Sequence, residues 1–524
     1  MGVGVLVGAE GLGDGRCYEV RPGAASAPLG NGYQRREPEK TALHRLVREN
    51  LETFLAEARE RSADGYGLPR YVRQEFEKYL GCGDLRLGFA RVVCRDCRHE
   101  AVVGFSCKRR GFCPSCTARR AHEAAAHLVD SVVPRVPVRQ WVLSFPKTLR
   151  YVLARDKKLL GEVLGCFLRR LFAFHRRRAR KLGIKQGAAG AISYLQWFGS
   201  SLQLTPHFHC VVPDGVFVET EVEAESNDSK DSKDSKEGGE DVEFFPLPAP
   251  TDAEVDALLL EVMKGVKALL TRRGFFEEND SEAAAPSALE SPQHEAAIGQ
   301  RALALSYTEA ARPKSGKERT AFREGFSLHA SLHLHANDRE GLERLCLYAG
   351  RGAIANERLE LLSDGRVSYR MKRPSPDGRS HLVCTPVQFL RRLASITPPP
   401  RVNLLRFHGV FGPNSRLRSR IAPQPKPPEV AESPSKQGAF AFVAALVAAV
   451  AKVTSRFSWA QLLQRTFRTD ILVCPRCEGR MRVIAFVTDT DVAEQVLARL
   501  GLARSRPPRA TATGPPQLGL AFPN

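Results

Sequence analysis

The sequence predicts an α+β protein: an antiparallel-sheet core, preceded by a helical and zinc-ribbon module and followed by a small C-terminal region. Three observations predict it. Gln140-Trp-Val-Leu-Ser-Phe145 is a strand-like run closed by Pro146, and Thr205-Pro-His-Phe-His-Cys-Val-Val212 alternates with the period of a strand. Leu43, Leu46, Val47, Leu51, Phe54 and Leu55 instead recur at helical spacing. Between these stretches lies a basic, cysteine-rich segment over residues 82–120.

Taken in order, residues 1–40 are rich in Gly, Ala and Pro without periodicity and predict a mobile arm. Thr41 is placed to cap the first helix, and a short second helix fits residues 68–80. These helices and the cysteine-rich segment form one unit over 41–130. A core unit follows over 131–420. Within it, 140–145 predicts a strand, 151–182 a helix with a cluster of arginines from Arg169 to Lys181, and 191–204 and 208–212 two more strands. Asp-Ser-Lys repeats inside an acidic stretch mark 221–243 as a disordered insertion with nothing to bury. A second soft stretch covers 277–293. Helical spacing returns over 338–349, and 367–371 predicts a strand. Prolines over 421–437 mark a linker, and 438–524 forms a C-terminal region of helix, Cys474-Pro-Arg-Cys477, a strand at 483–487 and a loose tail.

Composition narrows the function. The chain has 524 residues, 43% of them hydrophobic, and a formal net charge of +20. That charge persists although residues 221–243 are strongly acidic, and it favours a polyanion, nucleic acid before membrane. The longest apolar run, 439–451, is too short to span a bilayer, and no basic stretch leads into an apolar core at the N-terminus. A cytoplasmic protein is expected. Thirteen cysteines without an export signal point to metal ligands rather than disulfides.

Cys94-Arg-Asp-Cys97 and Cys113-Pro-Ser-Cys116 give C-x2-C-x15-C-x2-C. Two turns presenting four thiolates suit a closed, tetrahedral structural Zn2+ site. Cys82 and Cys107 lie near enough to substitute or to build a second site, and Cys474 with Cys477 is either half a zinc site completed from a distance or a pair of structural thiols. Lys108, Arg109, Arg110, Arg119 and Arg120 surround the second pair, as expected of a zinc ribbon lying on a phosphate backbone.

His207 and His209 share one strand face while Phe208 points to the opposite layer. Two imidazoles on one face either are tolerated as structural groups or chelate a divalent ion with positions left open, the catalytic type of site. Gln196, on a neighbouring strand, is the candidate third ligand. On the helix over 338–349, Arg344, Tyr348 and Arg351 fall at i, i+4 and i+7. A tyrosine between two guanidiniums suits attack on a phosphodiester. His329, His333 and His335 alternate on what reads as a solvated edge strand.

Jointly these residues resemble one family, the HUH-type rolling-circle transposases of bacterial insertion sequences, the group numbered ninety-one. The landmarks are Gly88-Phe-Ala-Arg91, Phe105-Ser-Cys-Lys-Arg-Arg-Gly-Phe-Cys-Pro-Ser-Cys116, Gln140-Trp-Val-Leu-Ser-Phe-Pro146, Gln196-Trp-Phe-Gly-Ser200, Pro206-His-Phe-His209, Leu342-Glu-Arg-Leu345 with Tyr348, Arg406-Phe-His-Gly-Val-Phe-Gly-Pro-Asn414 and Asp470-Ile-Leu-Val-Cys-Pro-Arg-Cys477. The resemblance implies an HUH nuclease core and strand transfer on single-stranded DNA, in a bacterial, nucleoid-associated protein. It further implies that His207 and His209 hold Mg2+ or Mn2+ and that Tyr348 forms a 5′-phosphotyrosine. With Arg344 four residues before Tyr348, the chain fits the one-tyrosine form, and Arg351-Gly352-Ala353 stands where the family carries Arg-Pro-Pro. Trp197 and Phe198 are expected as stacking platforms for bases. A replication or mobilisation initiator of the same chemistry, and a non-catalytic zinc-dependent DNA-binding protein, are the alternative readings.

Overall fold

A computed structural model describes residues 36–220, 241–275, 318–423, 459–502 and 509–512, apart from 63, 373, 375, 376, 468 and 469. The arm up to 35, most of the 221–243 insertion, the 277–293 stretch, the linker from 424 and the apolar run at 439–451 lie outside the described residues.

In chain order the larger elements begin with α1 (Ala42–Glu60), α2 (Arg70–Leu80), β1 (Phe89–Cys94), β2 (Glu100–Gly104), α3 (Pro114–Ser131), β3 (Val138–Ser144), α4 (Lys147–Arg155) and α5 (Lys157–Lys181). Next come β4 (Gly190–Phe198), β5 (Leu204–Pro213), β6 (Gly215–Thr220), β7 (Asp241–Pro246), α6 (Asp252–Arg272), β8 (Thr320–Arg323), β9 (Phe326–His329), β10 (His333–Leu334) and α7 (Arg339–Gly350). The series closes with β11 (Leu359–Leu361), β12 (Val367–Arg370), β13 (His381–Cys384), α8 (Pro386–Ser395), β14 (Leu405–Gly409) and β15 (Met481–Val487), which is flanked by helices Trp459–Phe467 and Thr490–Arg499.

The central sheet has the order β14-β4-β5-β3-β9-β8, with β10 also paired to β3. Its pairings are antiparallel. The alternation in sequence sorts its side chains between two layers. Phe208, Cys210 and Val212 of β5, with Leu195 and Trp197 of β4 and Trp141 and Leu143 of β3, pack against α5 and α6. On the opposite face Val211, Ile192, Tyr194 and Val138 pack under α3 and α7. The strand expected over 191–204 ends at Phe198, and the turn that follows lets β5 begin at Leu204 and carry both histidines. The helix expected over 151–182 is interrupted at Asp156, whose carboxylate accepts from Lys158 and Leu159 N–H and caps α5.

Thr41 caps α1, accepting from His44 N–H at 3.3 Å, and α1 packs on α2 through Leu43, Val47, Phe54, Phe76 and Tyr79. The C-terminal region is not a separate lobe. β15 pairs with β1 to form the sheet β15-β1-β2, so the two ends of the chain share one small domain.

Candidate active site and metal centres

The cysteines expected to form one zinc site divide into two groups. Cys82, Cys107, Cys113 and Cys116 bring their sulfurs together, and so do Cys94, Cys97, Cys474 and Cys477, each group within 4.8 Å. The correction has a simple cause. Cys94 and Cys97 lie at the turn of the β1–β2 hairpin. Cys82 precedes β1 and Cys107 follows β2, at the opposite end, where Gly83 N–H bonds Phe105 O (2.9 Å). Six residues of extended strand span about 20 Å, too far for one ion to bridge. α3, whose N-cap is Cys113, returns Cys113 and Cys116 to the Cys82 end.

In the first group the sulfur separations are 3.4 Å (Cys107–Cys116), 3.6 Å (Cys82–Cys113) and 3.7 Å (Cys82–Cys116). A tetrahedron of Zn–S bonds of about 2.3 Å has edges of about 3.8 Å, so the four thiols fit zinc. Hydrogen bonds from Cys107, Cys113 and Cys82 hold the Cys116 thiol well below its ordinary range, which is the thiolate character a metal needs.

The basic residues around this centre have varied tasks. Lys108 and Arg120 are exposed, and Arg120 donates to Lys108 O at 3.0 Å. Arg109 and Arg119 are half-buried. Arg110 does not face outward: its guanidinium donates to Pro399 O (2.8 Å) and Val402 O (2.5 Å), tying the module to the segment before β14. In the Arg169–Lys181 cluster, Arg170, Arg177 and Arg178 bind α6 and the loop before it, through Glu261, Pro248 and Ala249. Arg169, Arg180 and Lys181 remain exposed.

The second locus lies where the central sheet meets α7. His207 and His209 project from β5 toward the α3–α7 layer, their rings 4.9 Å apart between centroids. His207 Nδ1 lies 2.7 Å from Thr205 O. A carbonyl only accepts, so Nδ1 carries the proton and Nε2 keeps its lone pair. His209 Nδ1 lies 3.1 Å from the side-chain amide of Gln140 on β3. The amide nitrogen is the atom placed there and donates to Nδ1; turning the amide over presents its oxygen instead, makes Nδ1–H the donor and frees Nε2 to ligate. His209 Nε2 is buried and has no hydrogen-bond partner among the described residues. Burial pushes the His207 pKa down to about 4 and that of His209 well below its usual value, with Arg351 adding to both shifts. Two neutral imidazoles, one with an orphaned buried nitrogen, suit a divalent ion.

Tyr348 stands on α7 above this face, its ring 6.0 Å from that of His209 and nearly perpendicular to it. Arg351 lies 4.9 Å from the tyrosine ring centre and 5.2 Å from that of Phe198, and its Nε is buried with no partner among the described residues. Arg344 is not part of this group. The acidic first turn of α7 draws it away to Glu340 (3.4 Å) and Asp338 (3.8 Å). Lys372 takes the second cationic place, with Nζ 4.4 Å from the Tyr348 ring centre. No periodicity signals Lys372, because it arrives on the loop after β12.

Gln196 lies directly across from His207 in the β4–β5 register. Its amide nitrogen donates to Tyr348 O (3.1 Å) and Ala349 O (2.7 Å), closing carbonyls that the last turn of α7 leaves open. Its oxygen is the part left for an ion. The residue after Arg351 is also fixed by packing: a Cβ at Gly352 would collide with the Thr117 hydroxyl of α3. His329, across Val142 from His209, shares the histidine face rather than a solvated edge, and its proximity lowers the His209 pKa further. Trp197 is no stacking platform. It faces the α5 layer and is buried, as is Phe198.

Comparison with known proteins finds two family models over these segments. The transposase family model Y2_Tnp matches residues 190–418, which contain β4, β5 and α7. The transposase zinc-binding domain matches residues 49–145, which contain all four cysteines of the first group, and structural zinc belongs to it. No curated protein and no solved structure matches the chain. No helix among the described residues is long and apolar enough to cross a membrane. With a zinc-binding domain followed by a transposase domain, in the order and over the residues where the cysteines and the histidine–tyrosine face are found, the chain belongs to the IS91-type transposases, DNA-binding and DNA-processing enzymes.

Proposed function

We propose that this transposase nicks and rejoins single-stranded DNA through a 5′-phosphotyrosine on Tyr348, with His207 and His209 holding Mg2+ or Mn2+. The observation that carries this reading is the contact of the Tyr348 ring with the His209 ring, on a face where His209 Nε2 is buried and unpartnered. When bound, the ion supplies Lewis-acid polarisation of the scissile phosphate. The protein's own groups do the rest. The Tyr348 phenol oxygen attacks phosphorus, the bond to the 3′ oxygen breaks, the phenol gives up its proton and the departing oxygen gains one. Arg351 and Lys372 offset the negative charge that develops on the phenol and phosphate oxygens. The linkage conserves the phosphodiester, so a later 3′ hydroxyl reverses it and joins strands. Gln196 keeps the tyrosine-bearing turn against β4.

His207→Ala and His209→Ala are expected to lower nicking of a labelled oligonucleotide by at least about 100-fold. Affinity for the oligonucleotide should stay within a few-fold, because binding rests on distributed phosphate contacts. Nicking at the wild-type rate by the double variant places the chemistry elsewhere.

A further inference from the structure

Cys94, Cys97, Cys474 and Cys477 are not accounted for by the zinc-binding domain, since two of them lie more than 300 residues beyond its match. The two pairs have nearly the same local form. In the first, Cys94 N–H bonds His99 O five residues on, at 2.8 Å, and Arg98 just after the pair has φ 61°. In the second, Cys474 N–H bonds Gly479 O five residues on, at 2.9 Å, and Glu478 just after the pair has φ 59°. Each is a tight turn that aims two sulfurs the same way. The turns face each other: Cys94 Sγ lies 3.5 Å from Cys477 Sγ, and Cys97 Sγ lies 3.5 Å from Cys474 Sγ. Those separations are near the edge of a zinc–thiolate tetrahedron, about 3.8 Å, and far from a disulfide bond of about 2.05 Å.

The surroundings fit the same role. Arg476 N–H points at Cys474 Sγ (3.4 Å), the kind of donor that steadies a thiolate. Arg95 N–H bonds Arg480 O at 3.2 Å, stitching one turn to the other. Gly479 lets the two turns close together: a Cβ there would meet the Asp96 carboxylate of the opposite turn and lie 3.3 Å from Cys477 Sγ. Val92, Ile471 and Met481 close the apolar side.

We infer that these four cysteines form a second, closed Zn2+ site, which clasps the C-terminal segment 470–502 to the N-terminal module. β15 then completes the β15-β1-β2 sheet from the far end of the chain. A closed thiolate site contributes its binding energy to folding, so the docking of the C-terminal segment is metal-dependent.

Zinc analysis of the full-length protein tests this, and it does not depend on Tyr348 or the histidines. The wild type should contain two zinc ions per chain. Cys474→Ser with Cys477→Ser should contain one, and Cys113→Ser with Cys116→Ser should also contain one, because the sites are separate. Cys477→His, which keeps a zinc-binding side chain, should restore two in place of the one expected for Cys477→Ala. One zinc in the wild type, an unchanged count in the Cys474/Cys477 variant, or loss of free thiols to disulfides in the zinc-bearing wild type overturns the second site.

Discussion

His175 and His207 show how burial sets protonation in this protein. His175 is fully buried, neither ring nitrogen has a partner among the described residues, and burial lowers its pKa to about 4. His207 is lowered to about 4 as well. An unfolded histidine titrates near 6.5. Above that value neither state binds the proton, and these residues add no pH dependence. As pH falls from about 6.5 toward 4, the unfolded chain takes up protons that the folded chain refuses, so stability falls. The loss is on the order of 1–2 kcal/mol per histidine at pH 5. Urea midpoints should therefore be lower at pH 5 than at pH 7, with a smaller drop in His175→Phe. In the proposed site, Gln140 would act through its contact with His209. Gln140→Ala should leave the fold intact and raise the divalent-ion concentration for half-maximal nicking by about 10–100-fold. An unchanged metal titration contradicts that role. That His207 and His209 share one strand face and that Tyr348 stands on a helix was legible in the sequence, because strand and helix periods assign them faces. Gln140 and Lys372 were not, since their places depend on strand pairing and on a loop.

At the scale of elements, α7 packs on α3 through an apolar layer, and one polar side chain ties the two together. Arg339, at the start of α7, donates to the carbonyls of Val129, Val133 (2.9 Å) and Pro134 (3.1 Å) at the end of α3. Val129 O is one of the carbonyls that the end of α3 leaves open, and Val133 O and Pro134 O lie in the turn after it. Arg339→Ala should destabilise the fold by about 2–3 kcal/mol and slow nicking, because α7 also carries Tyr348. Arg339→Lys should recover only part of the loss, as an ammonium lacks the planar fork. Thermal and urea denaturation measure the first effect, and a wild-type midpoint for the Ala variant contradicts it. Elements with strong local signals were readable: Thr41 caps α1, a strand-like run closed by Pro146 located β3, and alternation located β5. The break between α4 and α5 was hidden because apolar residues run through it, and only the Asp156 cap marks it. The grouping of the cysteines was misread because spacing reports the turns and not the hairpin between them.

At the scale of the molecule, the candidate active site joins parts far apart in sequence: β5, α7, the loop after β12, and α3 of the zinc-binding domain. The N-terminal module therefore supports the candidate site's face as well as being basic. Gly352 rests on Thr117 of α3, and Gly350 lies close to Tyr194 of β4. The family and the α+β class were legible from motif order. The return of β15 to β1 was not, because strand pairing across nearly 400 residues leaves no local trace. The central claim is that Tyr348 is the nucleophile, and trapping of DNA on the protein tests it most directly. A single-stranded oligonucleotide bearing the element end, labelled on the 3′ side of the nick, is incubated with protein and Mg2+ or Mn2+ and resolved under denaturing conditions. The wild type should carry label in a covalent adduct, with a free 3′ hydroxyl on the other fragment. Tyr348→Phe keeps the ring and its packing and should form none. An adduct on the Phe variant at the wild-type level contradicts the account.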